Sequence, residues 1–309
     1  MADVIDRLGV LASALSGDAR EAAVFARQLS VGGILFDAYM RELNLTQLSQ
    51  TGRREFRHVI ASNNLELVGL RYDAGPEGLG PARRSGAALE RVIADLQRVM
   101  ETAAGLMSPL VCLDLGTLPP APPEEKPVTP KVTPEMAGLI LLPTGLIGGA
   151  PPPPPPSREL SDADRAAADQ MDAVLAEVCA SADRFGVTLA LRSDLSSFAS
   201  LERVIARARC PWLGVDLDPV AVLRDAWPTD EIMSRLGALI RHVRVRDAVL
   251  GSEGRTRPAE VGKGSVNWGE MLAAVDAAGY GGWMTIDPTE LADRRAGAVA
   301  AVNRLGPAR

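Results

Sequence analysis

The chain has 309 residues, 47% of them hydrophobic and 23% charged, a composition able to build a sizeable globular core. Its net charge of −6 and the lack of a lysine- or arginine-rich run argue against a nucleic-acid partner, which needs a basic face for phosphate. The N-terminus lacks the basic-then-apolar order of a secretory signal. The longest uncharged apolar stretch (136–150) is broken by Pro143 and is too short to cross a bilayer, so no membrane partner is expected and the cytoplasm is the expected location.

Short apolar runs rich in β-formers alternate with longer segments of helical period. In chain order, strands are expected at "RLGVLA" (7–12), "GGILFDA" (32–38), "LELVGLRYD" (65–73) and "SPLVCLDLG" (108–116). Four more follow at "GVTLALRSD" (186–194), "WLGVDLD" (212–218), "LIRHVRVRD" (239–247) and "GWMTID" (282–287). Such near-continuous apolar runs suit a parallel sheet covered on both faces. Between them, "GAALERVIADLQRVM" shows helical period through Leu89, Val92, Ile93, Leu96 and Val99. A helix opening at Ser161 and Asp164 and stopping at Gly186 lines up Met171, Val174, Leu175, Val178 and Phe185. Another opens at Asn267 with Glu270, turns Leu272 and Val275 inward, and stops at Gly279. The cysteines, Cys112, Cys179 and Cys210, are far apart in apolar runs and read as buried reduced thiols.

Eight strands separated by helices predict a (β/α)8 barrel, a fold of about 250 residues. An open doubly wound sheet is the other possibility, weakened by the absence of a G-x-G-x-x-G turn after the first strand. The chain reads as one barrel domain, 1–309, with an insertion at 117–160 after the fourth strand. That insertion holds 14 of the 23 prolines and ends in "PPPPPP". It is either a linker-like excursion or a lid or arm that binds a protein partner, since "MAGLILLPTGLI" in its middle is too apolar to stay fully solvated.

The C-terminal third carries a more specific pattern. "WLGVDLDPVAVL", "HVRVRDA" and "GKGSVNWGEMLAAVDAAGYGGWMTID" resemble the last three units of xylose isomerase-like barrels, a family of sugar and sugar-phosphate isomerases and epimerases, and "LELVGLRYD" resembles its third strand. The resemblance implies a site at the C-terminal ends of the strands that holds one divalent cation, manganese, magnesium or zinc. Its ligands are a glutamate after strand five, an aspartate after strand six, a histidine on strand seven and an acid after strand eight. The cation polarises a carbonyl while acids move a proton on the neighbouring carbon.

Carried onto this sequence, two of those four places are changed. The strand-five place falls on Arg192, with Asp194 two residues on; the strand-six acid is Asp218; the strand-seven histidine is Arg244; the strand-eight acid is Asp287. Arginine offers no lone pair to a metal, so no cofactor is expected. A divalent metal enters only if the strand-seven register is shifted to make His242 the ligand. The chain has only two histidines, and the other, His58, lies in a helical stretch and reads as an ordinary surface or packing residue.

Two readings follow for the arginines. Arg192 and Arg244 form forked pairs with Asp218 and Asp287 and plug the barrel mouth, or Arg71, Arg192, Arg244, Arg246 and Lys263 bind a small anionic ligand or sugar, helped by backbone N–H groups around Gly262 and Gly264. Trp268 and Trp283 either stack on a sugar or pack. The function is then a metal-free isomerase or epimerase with Asp218, Asp247 or Asp287 moving the proton, or a non-catalytic barrel that binds a small anion or a protein.

Overall fold

A computed structural model describes residues 7–75, 79, 86–121, 160–192, 197–251 and 254–306. Most of the proline-rich insertion, 122–159, lies outside the described residues, as does Asp194. The first half of the chain runs β1 (Leu8–Leu11), α1 (Ala12–Leu15), α2 (Ala19–Gln28), β2 (Gly33–Asp37), α3 (Gln50–Ser62), β3 (Glu66–Tyr72), α4 (Ala87–Gly105) and β4 (Leu110–Asp114). It continues with α5 (Asp162–Phe185), β5 (Thr188–Arg192), α6 (Phe198–Ala208), β6 (Leu213–Leu217), α7 (Pro219–Arg224), α8 (Thr229–Leu236) and β7 (Ile240–Val245). The last elements are β8 (Asp247–Leu250), β9 (Thr256–Ala259), α9 (Trp268–Ala277), β10 (Met284–Ile286) and α10 (Arg294–Leu305).

Strands β1 to β7 and β10 close into a parallel barrel, each pairing with its chain neighbours and β10 returning to β1. All eight expected strands are present, each shorter than expected by one or two residues at either end. The helices start where short polar side chains cap free N–H groups. Ser161 accepts from Asp164 N, Ser49 from Gly52 N, Ser197 from Ser200 N and Asn267 from Glu270 N. On α4 the expected face is the buried one. On α9 the inward position is taken by Met271 beside Trp268 and Val275, with Leu272 only half-buried, because the helix is rotated slightly from the expected face.

The main core lies between strands and helices. A second, small apolar cluster fills the barrel interior: Leu11, Leu35, Val68, Cys112 and Ala190, with Trp283 packed against it. Trp283 is therefore a packing residue at the floor of the barrel. Above that floor the interior turns polar. A two-stranded antiparallel ribbon, β8 with β9, follows β7 and has no counterpart among the expected elements. No helix among the described residues is long and apolar enough to cross a membrane.

Candidate functional site at the barrel mouth

Alternation along each strand sends every second side chain inward, and at the C-terminal ends of all the barrel strands but β1 those side chains are charged. The parallel register sets opposite charges on neighbouring strands side by side. Asp37 on β2 pairs in register with Arg71 on β3, Asp114 on β4 with Arg192 on β5, and Asp216 on β6 with His242 on β7. Followed around the barrel from β2 to β10, the sign alternates: Asp37, Arg71, Asp114, Arg192, Asp216 with Asp218, Arg244 with Arg246, then Asp287.

Each arginine of this ring touches two acids. Arg71 Nε donates to Asp37 Oδ1 at 2.5 Å, and its Nη1 lies 3.4 Å from Asp287 Oδ2. Arg192 Nη2 donates to Asp114 Oδ2 at 2.5 Å, while its Nη1 is 3.4 Å from Asp218 Oδ2. Buried Arg244 donates from Nε to Asp216 Oδ2 at 2.7 Å and from Nη1 to Asp287 Oδ2 at 3.2 Å. Arg246 donates from Nε to Asp218 Oδ1 at 2.9 Å, from Nη2 to Asp218 Oδ2, and from Nη1 to Glu290 Oε1 at 2.6 Å. The fork expected between Arg192 and Asp218 is thus made by Arg246, and Arg192 and Arg244 act as bridges between acids. Asp218 also caps α7, accepting from Val220 N at 3.1 Å, and Asp287 accepts from Thr289 Oγ1 at 2.6 Å.

Two of the expected site residues lie elsewhere. Asp247 is buried in its own loop, where its carboxylate accepts from the N–H groups of Ala248, Gly262, Gly264 and Val266 and from Trp268 Nε1. The anion that the "GKGSVNW" amides approach is therefore this side chain, and Trp268 is held there too. Gly264 is required by the close approach, since a Cβ would collide with the Asp247 carboxyl group. Lys263 points outward, its side chain 72% exposed, and pairs with Glu260 2.8 Å away instead of joining the mouth.

Below the ring sits a residue set that sequence reasoning did not assemble. Cys112, Asp216 and His242 are all buried, and one donor atom of each lies within 4.8 Å of the others, a grouping able to hold a metal ion. Its members are already engaged: His242 Nδ1 is 2.6 Å from Asp216 Oδ1, its Nε2 is 2.7 Å from Thr285 Oγ1, and Asp216 Oδ2 accepts from Arg244. Asp37, Asp114, Asp216 and Glu290 were also unforeseen. For Asp216 a signal existed, since it lies two residues before Asp218 and shares its inward face.

Burial opposes the charged forms here, and the ring outweighs it. Burial raises the Asp218 carboxyl, but Arg246 and then Arg192 bring it down to about 2. Burial lowers His242, but the Cys112 sulfur and the Asp216 carboxylate push it up to about 10. Asp216 and Asp287 are likewise held below the usual carboxylate range against burial, chiefly by Arg244. A lowered carboxylate stabilises the fold above its ordinary value of 3.8 and loses that contribution as pH falls towards 2. A raised histidine contributes fully below 6.5 and loses that contribution as pH rises through about 10. The ring is therefore strongest between about pH 4 and 6.5. Melting temperature is expected to fall on both sides of that window, and His242→Gln to flatten the alkaline limb alone. A wild-type melting temperature that climbs from pH 7 to pH 9 would contradict this assignment.

The family model for xylose isomerase-like TIM barrels matches residues 25–305. Among solved structures, a xylose isomerase domain protein from Planctomyces limnophilus superposes with a TM-score of 0.68 at 16% identity, covering 97% of this chain and 95% of that one. D-psicose 3-epimerase from Clostridium cellulolyticum H10, solved with D-tagatose, gives 0.64 at 11% identity over 97% and 98%. A xylose isomerase-like TIM barrel protein from Mycobacterium smegmatis in complex with magnesium gives 0.59 at 16% over 93% and 87%. At these identities the likeness is one of fold. No curated protein matches the chain significantly. Strand order, closure and the matched span together place the chain in the xylose isomerase-like TIM barrel family.

Proposed function

We propose that this chain is a member of the family in which a ring of arginines and carboxylates stands in place of the divalent cation, and that it is a non-catalytic binding barrel. The observation that carries this reading is that the arginines at the two places where the family has metal ligands pair with the two acids that remain, Arg192 with Asp218 and Arg244 with Asp287. The donor set at the mouth does not fit a divalent cation. Two of its four members have no lone pair, and the other two already accept charge-assisted bonds.

A metal-free isomerase is the second reading, with Asp218 and Asp287 passing the proton. Both are held ionised by their arginines, so each is a weak base and lacks the proton a general acid must give. The geometry favours the binding barrel, whose occupant at the mouth is a sugar or small anion able to displace a carboxylate from an arginine. The free cysteines accord with the cytoplasm as its compartment.

The test is metal content and turnover. Protein purified with manganese, magnesium and zinc supplied is expected to retain less than a tenth of an equivalent of each. Ketohexose epimerisation and aldose–ketose isomerisation are expected to stay at background, with or without EDTA. A stoichiometric metal, or turnover abolished by Asp218→Asn, overturns the proposal. Zinc lost in a Cys112→Ala variant would locate a metal at the buried cysteine–histidine group instead.

A further inference from the structure

On the face opposite the mouth, the C-terminal ends of α3 and α4 flank the start of β3. A cavity of about 580 Å3 opens there, with an apolar floor of Ile60, Leu65, Leu67 and Leu106 and a basic side formed by Arg54, Arg57 and His58. A second cavity of about 250 Å3 adjoins it, lined by Arg53, Gln50 and Gly105 and sharing Arg54, Arg57 and Met107 with the first. The volume of the larger one is in the range that holds small organic ligands.

Two independent features set this face apart. The first is charge without partners. At the mouth every arginine is bridged by acids, yet among the described residues Arg53, Arg54 and Arg57 have no ion pair. Glu55 on the same helix turns away to Arg20, and Glu66 on the lining pairs with none of the three. Arg53 Nε is buried with no hydrogen-bond partner, and α4 carries glycine at 105, where a Cβ would run into the Arg53 guanidinium. The second is Met107, which stands in the left-handed region at φ 58° with 70% of its surface exposed. The other large exposed hydrophobic side chains of the described residues reach only 40–41%. A β-carbon is disfavoured in that backbone conformation, and a solvated methionine adds nothing to the core. Folding alone does not select this residue.

We infer that this face binds an organic anion with an apolar body. The body rests on the floor under Met107, and the acidic head takes charge-assisted hydrogen bonds from Arg53, Arg54 and Arg57. The inference is independent of the chemistry at the mouth.

Titration calorimetry on the full chain with 8-anilinonaphthalene-1-sulfonate as the probe tests it, with inorganic phosphate as the head alone. One equivalent of the probe is expected to bind, and phosphate at least tenfold more weakly. The double variant Arg54→Glu, Arg57→Glu, whose side chains are exposed, is expected to bind the probe at least tenfold more weakly with an unchanged melting temperature. Met107→Gly separates binding from folding: it is expected to raise the melting temperature and weaken the probe at least threefold. Equal probe affinity in wild type and both variants overturns the site. Phosphate binding as tight as that of the probe overturns the apolar half of the assignment.

Discussion

Replacing Arg244 with alanine is expected to reduce the unfolding free energy by about 3–5 kcal/mol, the loss typical of a buried charge pair broken on one side. Arg244 is buried and its guanidinium serves two buried carboxylates, Asp216 and Asp287. Without it, Asp216 keeps only His242, and Asp287 keeps Thr289 and the distant Arg71 contact at 3.4 Å. Arg244→Lys keeps the charge but cannot span both acids, so its loss should fall between alanine and wild type. Urea denaturation at pH 6 reads these differences. Arg20→Ala breaks an ion pair exposed on both sides and supplies the contrast, with an expected loss below about 1 kcal/mol. If Arg244→Ala is no more harmful than Arg20→Ala, the ring is not what holds the barrel top.

Asp247→Ala is expected to be at least as damaging, through hydrogen bonds more than charge. Four backbone N–H groups and one indole N–H converge on this carboxylate, at distances from 2.8 to 3.3 Å. Each buried donor left without an acceptor costs about 1–3 kcal/mol, so even partial rescue by water leaves a loss near 4 kcal/mol. The damage should be local first. Amide exchange at Gly262, Gly264 and Val266 is expected to accelerate together, and Trp268 fluorescence to shift as its N–H meets solvent. Asp247→Asn retains one acceptor oxygen and should lose roughly half as much. Unchanged exchange at the three amides in Asp247→Ala would show that the loop is organised by something else.

The strands were legible because a parallel strand covered on both faces must be apolar throughout, and runs such as "PLVCLDL" announce that. Arg192 and Arg244 stood out because the resemblance to the family expects metal ligands at those two places and the sequence has arginine there. What could not be read was pairing. Which acid Arg192 meets depends on the register that sets Asp114 beside it, and register between strands separated by a long connection leaves no mark on either segment alone. Asp247 shows a different limit. The sequence suggests a ligand anion near the amides around Gly262 and Gly264, and no local pattern reveals that the carboxylate they hold is Asp247, on the strand just before the loop. Lys263 was misplaced because a loop position, unlike a strand position, carries no alternation to say which way a side chain points.

The alternation of sign from strand to strand has a consequence for which substitutions the barrel mouth can accept. Replacing Arg192 with an acid would set three carboxylates in succession, Asp114 losing the arginine that faces it while Asp218 keeps Arg246. Exchanging an inner acid–arginine pair such as Asp114 and Arg192 is no gentler, because each exchanged residue then meets a like charge on its far side. Single changes of sign are therefore penalised while the rest of the ring stands, so the ring resists piecemeal substitution even where a concerted change would be sound.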